Sequence, residues 1–474
     1  MLPANKGKEL IKNTGILAIG NMATKALTFF LLPLYTTLLT KEEYGVIEIL
    51  TTYVALLIPI VNCQISQAVF RFATENRKSA NVLTKIFTSS FYVSVLLFLL
   101  YTVLFLILYN LISLPYKWYL LIGVFLNVAM QMVSYAARGI GDNIAYSAGS
   151  FLFASSIIIL NVIFLVVFKM GIYGMFLAYC IGPVIGIAYV ILKIRLWRYI
   201  KWHEFCVETV KEQLCYAMPL VPNELSWWIL NVSNKVIVNH FLGFAATGVF
   251  GVAAKFSAIF STVFSIFNAS WTEQVVLHFN DSDGKEFIQD IFDRGLRFFI
   301  AMNLMTIASM PFVYPVFVNA SYIEGYSLVP LLLISCIGQV FVGLVSPIYL
   351  VNNETRKIAE ATVCAGFINV LSNILLIRYI GIYSACIASI LGYATVAIIR
   401  VIDIEKRYFS LNLNKKILVS SVLTYMVIIG FYYYNKGIAN VLCWVGCLLY
   451  CFYINKKNLL PMYRMLKTKI SKGI

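Results

Sequence analysis

Residues 215–256 read CYAMPLVPNELSWWILNVSNKVIVNHFLGFAATGVFGVAAKF, two apolar segments that meet at a short turn predicted near Gly243–Gly248. Each segment is on the scale of a membrane-spanning helix. Glu224, Lys235 and Lys255 lie inside them, far from any loop. A charged side chain at the bilayer centre costs about 2.5–3.5 kcal/mol on insertion scales, so such residues usually face a protein interior or a water-filled path. We therefore interpret the rest of the chain as the scaffold for these charges.

The spacing of the polar residues predicts that they share helix faces. Intervals of three, four and seven residues repeat on one side of an α-helix. One predicted face holds Glu224, Trp228, Asn231 and Lys235, and a second holds Lys255, Thr262 and Glu273. Three interpretations remain open at this point: a water-accessible cavity, a buried structural ion pair, and lysines that snorkel to the headgroups. We favour the cavity.

The composition is that of an all-α polytopic membrane protein. Of the 474 residues, 61% are hydrophobic and 12% are charged, whereas soluble domains carry about 25% charged residues. No removable signal peptide is predicted. Apolar runs of about 20 residues predict fourteen transmembrane helices. Their expected spans are 13–38, 44–70, 86–110, 118–137, 146–168, 172–192, 214–239, 248–278, 298–318, 326–351, 358–377, 382–402, 417–434 and 438–455.

The basic residues predict the orientation. Of the 37 Lys and Arg residues, 29 fall in the termini and alternate loops, five fall on the other side, and three are embedded: Lys25, Lys235 and Lys255. This asymmetry predicts that both termini are cytoplasmic, and it explains the formal charge of +16 without a nucleic-acid partner. Short loops and the lack of a phosphate-binding G-x-x-x-x-G-K-[ST] motif argue against a nucleotide. The ten cysteines form no C-x-x-C pair and the three histidines are scattered, so we expect no disulfide, metal or other cofactor.

An internal repeat is indicated by a constant offset of 210 residues. Thr14, Asn21 and Lys25 align with Glu224, Asn231 and Lys235. The predicted organisation is a six-helix bundle over 1–200, a second over 201–407, and helices 13 and 14 with a basic tail over 408–474. Repeats of this kind build transporters whose substrate site lies between the halves.

Several local runs carry a family resemblance: NTGIL at 13–17, AARGIGD at 136–142, SNKVIVNHFLG at 233–243 and GVFGVAAK at 248–255. With fourteen helices in a 6+6+2 plan, the chain resembles, over residues 10–455, the polysaccharide-export (Wzx-type) oligosaccharide-lipid flippases of the multidrug/oligosaccharidyl-lipid/polysaccharide superfamily. The resemblance implies a multi-pass protein of the bacterial cytoplasmic membrane that is not an enzyme. It would flip an undecaprenyl-diphosphate-linked oligosaccharide through a cationic central cavity by alternating access. Membrane lipids and a polysaccharide polymerase are the further partners considered.

The nature of that cargo suggests a role for each candidate residue. Lysines in a cavity attract a diphosphate or an acidic sugar, which cannot cross hydrocarbon unaided. The expected cargo contacts are Lys25, Lys235 and Lys255, with Asn21, Asn231 and Thr262 on sugar hydroxyls. Trp228 is a candidate for sugar stacking or simple packing, and Arg71 for guiding the headgroup at the cytoplasmic mouth. Glu48, Glu224 and Glu273 are expected either to couple transport to an ion or, as we slightly favour, to neutralise the lysines.

Three other functions are weighed against this one. A lipid II-type flippase differs only in its cargo. A cation-coupled drug antiporter of the same superfamily would need a cavity dominated by acids and aromatic residues, whereas three embedded lysines balance three acids here. A membrane polymerase or glycosyltransferase commonly needs a large outer loop, and no predicted outer loop exceeds about ten residues. The sequence does not name the sugar, the coupling ion or the oligomeric state.

Overall fold

A computed structural model describes residues 29–279, 281–352, 354–408, 414–434 and 437–456. Within these ranges the chain forms fifteen α-helices with short 3-10 and π-helical pieces, and it contains no strand. Among the described residues, twelve helical segments are long and apolar enough to cross a membrane. The predicted all-α polytopic membrane fold is therefore confirmed. The first predicted span, 13–38, lies largely outside the described residues.

The described chain packs as two compact units. The first comprises the residues up to Asn239 together with Gly243–Gly248, and the second comprises His240–Leu242 and the residues from Val249 onward. The predicted division at residues 200 and 201 remains a prediction. Helices of the first unit are α1 (Leu32–Leu38), α2 (Lys41–Val61), α3 (Ile65–Glu75), α4 (Ala80–Leu108), α5 (Trp118–Ile140), α6 (Asn143–Val162), α7 (Gly171–Ile194), α8 (Val207–Ala217) and the first part of α9 (Leu220–His278).

One predicted helix of the first unit is broken. The span expected over 44–70 ends as α2 at Val61 and resumes as α3 at Ile65. Cys63 and Gln64 between them adopt φ values of 46° and 57°, a region that side chains other than glycine seldom occupy. The amide of Asn62 donates hydrogen bonds to Ser66 and Gln131 inside the unit. Polar side chains with these local bonds compete with helix formation, and apolar periodicity alone did not reveal the break.

The second unit contains the second part of α9 and six further helices. The span predicted over 214–239 begins in α8 and continues into α9, and the span predicted over 248–278 lies within α9. The 59 residues of α9 would measure about 90 Å if straight. Gly243 interrupts it with a non-helical φ of 80°, so the predicted turn is a break at one glycine. The further helices are α10 (Gly284–Phe317), α11 (Val329–Val351), α12 (Thr355–Ile380), α13 (Tyr383–Arg407), α14 (Lys415–Tyr434) and α15 (Gly437–Ile454).

Two cations that were counted with the loop charges are buried in helices. Arg297 lies in α10, is 8% exposed and pairs with Asp293. Arg400 lies in α13 and is only 1% exposed. Its guanidinium donates to the Ser346 hydroxyl and to the carbonyl oxygen of Val342. The separation of loop charges from embedded lysines was therefore wrong at these two positions.

Candidate functional site

The site begins where α2 crosses α9 within the first unit. Thr40 and Glu43 form a reciprocal cap that fixes the start of α2. A Cβ atom added to Gly45 would lie 1.8 Å from the carbonyl oxygen of Phe244, and one added to Gly248 would lie 2.1 Å from that of Lys41. Glycine at these two positions therefore lets the backbones touch. Close approach at small residues is the usual way in which membrane helices associate.

Glu48 lies one turn beyond Gly45 on α2 and meets Lys235 of α9. The Glu48 Oε2 and Lys235 Nζ atoms are 2.5 Å apart. The two side chains are unequally exposed, with 6% for Glu48 and 22% for Lys235. The carboxylate is thus covered by protein, whereas the ammonium retains an open side. Of the three interpretations left open by the sequence, this geometry is that of an ion pair with one accessible partner.

A second contact between the same helices lies two turns away on α9. The indole Nε1 of half-buried Trp228 donates to the carbonyl oxygen of Thr52 at 3.3 Å. The Thr52 hydroxyl donates in turn to the carbonyl oxygen of Glu48 at 2.7 Å. The predicted helix face therefore brings Trp228 and Lys235 to one neighbour, α2. Since Glu48 and Thr52 are also one turn apart, these contacts fix the register of the two helices.

Two further predicted residues of the first unit lie apart from the ion pair. Glu224 is half-buried on the first part of α9. Arg71 lies at the exposed end of α3, bonds Glu75 at 3.1 Å and covers the ring of Tyr216 at 4.4 Å. The hydrogen bond that Arg71 donates to the Glu75 carboxylate raises the pKa of Arg71 above its ordinary value. Arg71 is therefore a charged surface side chain that already contacts Glu75 and Tyr216.

The second unit holds three predicted residues on α9. Lys255 is half-buried. Thr262 is buried and donates its hydroxyl to the carbonyl oxygen of Ala258 at 2.7 Å. Glu273 is exposed. The predicted shared face of these residues thus contains three different environments, because burial changes along the helix.

Three predicted cargo contacts cannot be placed. Asn21 and Lys25 lie outside the described residues, and Asn231 lies on α9 with a side chain outside the description. The alignment of Lys25 with Lys235 remains a prediction.

Sequence reasoning missed Arg400 as an embedded cation. It was counted with the loop that follows, although Val401, Ile402 and Ile404 continue the apolar pattern past it. That continuation was the available signal. Arg400 borders a 290 Å³ cavity in the second unit, together with Lys357, Glu360, Asp403 and Arg407.

The family of the chain follows from how much of its length a family model matches. A family model described as polysaccharide biosynthesis protein matches residues 10–271, more than half of the chain. The chain belongs to this family. The resemblance stated from the sequence is thereby confirmed. A search of the curated proteins finds no match.

Solved structures show that this member of the polysaccharide biosynthesis family has the fold of a transporter superfamily. The inward-facing conformation of a multidrug resistance MATE family transporter of the MOP superfamily matches with a TM-score of 0.66 and 16% identity, over 82% of this chain and 94% of that one. The outward-facing conformation of such a transporter matches with a TM-score of 0.56 and 16% identity, over 84% and 95%. A MOP superfamily transporter from Pyrococcus furiosus, described as having a binding pocket of reverse polarity, gives 0.57 and 16%, over 84% and 95%. The family is therefore that of polysaccharide biosynthesis proteins, and the fold is the one seen in these solved transporter structures.

Proposed function

We propose that the protein is a flippase that moves an undecaprenyl-diphosphate-linked oligosaccharide repeat unit across the bacterial cytoplasmic membrane. The repeat unit would belong to O-antigen, capsule or exopolysaccharide, and transport would proceed by alternating access with both termini in the cytoplasm. The polysaccharide biosynthesis family and the transporter fold support this proposal. The observation that carries it is the pair of Lys235 and Glu48, in which a partly exposed ammonium is held by a buried carboxylate.

The pair suits a cation that must wait for an anionic cargo. An unpaired ammonium within an apolar span would be costly, and Glu48 removes that cost while the path is empty. A diphosphate brings more negative charge than one carboxylate and reaches Lys235 from its open side. Lysine binds phosphate as a compact point charge on a flexible stem. The ammonium can therefore exchange Glu48 for the cargo and return afterwards.

The remaining candidates take secondary roles in this proposal. Lys25 and Lys255 would extend the cationic path, while Asn21, Asn231, Thr262 and Trp228 would meet the sugars and Arg71 the headgroup at the cytoplasmic side. The pairing of Glu48 favours charge balance as its role. Glu224 and Glu273 remain candidates for charge balance or ion coupling. A polysaccharide polymerase would receive the flipped unit.

The test is made in cells that lack the native gene and depend on the introduced one. We expect the deletion strain to lose surface polymer and to accumulate lipid-linked repeat units. Lys235→Ala should reproduce both defects, whereas Lys211→Ala, at an exposed position of α8, should restore the polymer. Normal polymer at equal membrane levels of the Lys235 variant would remove this residue from the mechanism. A deletion strain without accumulated repeat units would refute the flippase proposal itself.

The similarity to multidrug transporters favours a second candidate, a cation-coupled drug antiporter. That function requires acids free to bind a cationic drug, and Glu48 is already engaged by Lys235. Efflux of a cationic dye from vesicles, dependent on Glu48 and Glu224, would support it. A lipid II-type flippase is distinguished by the lipid that accumulates in the deletion strain.

A further inference from the structure

An apolar groove runs along the side of the first unit, away from the ion pair. Its volume is 520 Å³, within the range of about 300–1,000 Å³ typical of ligand pockets. Phe91 and Val95 of α4, Ala129 of α5 and Ile187 of α7 line its walls. Its floor is formed by Trp197 and Ile200. These three helices are long and apolar enough to cross a membrane, so we expect the groove to face the hydrocarbon region.

The groove exists because α4 packs only sparsely against its neighbouring helices. In its most apolar stretch only 6% of the residues of α4 are buried. Leu96, Leu99 and Leu100 are each more than half exposed. In water such a surface would be unstable, whereas hydrocarbon chains cover it without cost. An empty groove of this size would forfeit dispersion contacts on both walls, so a lipid chain is the occupant that fits.

The floor of the groove is a fixed segment rather than a loose loop. The Thr88 hydroxyl of α4 donates to the carbonyl oxygen of Tyr199 at 3.1 Å and accepts from the backbone N–H of Lys201 at 3.1 Å. The ring of Tyr199 packs edge-to-face on Phe87 at 5.5 Å. Together these contacts hold the segment from Leu196 to Lys201 against the end of α4.

That segment concentrates positive charge beside the apolar floor. Arg195, Arg198 and Lys201 are exposed and alternate with the residues that line the groove. Glu204 is the nearest acid in sequence, so the segment is net positive. Basic side chains at the surface of a membrane attract anionic lipids. The orientation predicted from the loop charges places the segment at the cytoplasmic leaflet.

We infer that this groove is a binding site for an anionic glycerophospholipid of the cytoplasmic leaflet. One acyl chain lies between α4, α5 and α7, and the phosphate meets Arg195, Arg198 and Lys201. The combination of an apolar slot with a fixed basic rim selects the headgroup as well as the chain. This inference does not rest on the flippase proposal, because it concerns a lipid that stays bound to the outside of the first unit.

Trp197 supplies the measurement. The protein is reconstituted in phosphatidylcholine with a small fraction of lipid brominated on its acyl chains, and bromine quenches indole fluorescence on contact. The difference between the wild type and Trp197→Phe isolates the signal of Trp197. We expect brominated phosphatidylglycerol to quench this signal several-fold more effectively than the same fraction of brominated phosphatidylcholine. Equal quenching by the two lipids would overturn the inference.

Matched variants test the basic side chains and the apolar groove separately. The triple variant R195Q/R198Q/K201Q should abolish the preference for phosphatidylglycerol, whereas K415Q/K416Q/K456Q, at exposed positions of the second unit, should preserve it. Ala129→Phe fills the slot and should lower quenching by both lipids, whereas Ala188→Phe, at an exposed position of α7 outside the groove, should not. A preference that survives the triple variant contradicts the proposed rim. Displacement of brominated phosphatidylglycerol by polyprenyl phosphate at a lower fraction than by unlabelled phosphatidylglycerol would instead assign the groove to a polyprenyl chain.

Discussion

The Glu48 carboxylate and the Lys235 ammonium lie 2.5 Å apart, although 187 residues separate them in the chain. The contact is possible because α2 and α9 touch through Gly45 and Gly248, one turn and about four turns away. Glu48 is covered on its other sides, and Lys235 is not. Lys235 therefore compensates the charge of a carboxylate that is largely shielded from water.

Removal of Lys235 alone should destabilise the protein, and removal of both charges should not. Losing one partner of a buried pair typically costs about 3–5 kcal/mol, and the exposure of Lys235 should bring the cost of Lys235→Met toward the lower end. The double variant E48Q/K235M removes both charges of the pair, so we expect its melting temperature to recover most of the loss. Thermal unfolding in detergent measures the melting temperatures of the single and the double variant.

Transport should respond differently from stability. Since Lys235 is proposed to hold the cargo, the double variant should fold and yet leave lipid-linked repeat units unflipped. A stable double variant with normal surface polymer would show that the pair is structural only.

Alanine at the helix crossing should be poorly tolerated. The added Cβ of Gly45→Ala or Gly248→Ala meets a backbone carbonyl oxygen, which cannot rotate away, so α2 and α9 must separate. Overpacking commonly costs about 1–3 kcal/mol. Gly430→Ala is the matched control, because no described atom lies within 4 Å of the Cβ it would add. After heating, size-exclusion profiles should show that Gly45→Ala and Gly248→Ala lose the peak of folded protein at a lower temperature than the wild type, whereas Gly430→Ala does not. A wild-type profile for Gly45→Ala would contradict the close crossing.

The sequence was sufficient for those features that depend on composition and period. Long apolar runs predicted the helices, and a stripe of spacing 3.6 placed Trp228 and Lys235 on one face. The partner of Lys235 could not be identified this way, because Glu48 is distant in sequence and only packing brings α2 to α9. The break at Cys63 and Gln64 is accompanied by hydrogen bonds from Asn62 to Ser66 and to the distant Gln131, and neither leaves a trace in hydrophobic periodicity.

Arg400 illustrates a different error, in which a buried residue was counted with the loops. A cation near the end of an apolar run was counted as a loop residue, since the positive-inside rule weighs residues by position and not by burial. In the folded chain its guanidinium donates hydrogen bonds to the carbonyl oxygens of Val342 and Ile358 and to the Ser346 hydroxyl. The apolar residues that follow Arg400 indicate its burial, whereas its acceptors are distant in sequence and become apparent only in the folded chain.

Arg400→Ala should therefore cost much more than loss of an exposed arginine. It removes several hydrogen bonds and leaves a void at a side chain that is 1% exposed, for which we expect about 3 kcal/mol. Arg378→Ala, at an exposed position near the end of α12, should change the melting temperature little. Arg400→Lys retains the charge without the planar fork and should fall between the two. Equal melting temperatures for the Arg400 and Arg378 alanine variants would contradict the buried network.

Tyr408 should make the second unit sensitive to alkali. Its hydroxyl donates to Glu354 at 2.7 Å. Burial, together with this bond, raises the pKa of Tyr408 to about 12 from its ordinary value of 10.0. A raised pKa favours the neutral phenol in the fold, so the stabilisation is complete below pH 10 and is lost as the pH rises through about 12. The difference in melting temperature between the wild type and Tyr408→Phe should thus be constant near pH 8 and shrink above pH 10. A constant difference up to pH 12 would contradict the raised pKa.

Trp228 offers a way to separate helix packing from sugar contact. Its indole N–H is used by the carbonyl oxygen of Thr52, so Trp228→Phe retains an aromatic face and loses one hydrogen bond. We expect a loss of about 1 kcal/mol in stability with transport largely retained, because stacking on a sugar needs only the ring. Trp228→Leu should lower stability by a similar amount and, if the ring does meet the cargo, reduce transport further. Trp202→Phe, at a position that is 74% exposed, controls for loss of an indole elsewhere and should leave both unchanged. Transport that falls equally in Trp228→Phe and Trp228→Leu would assign this residue to the register of α2 and α9 and remove it from the cargo site.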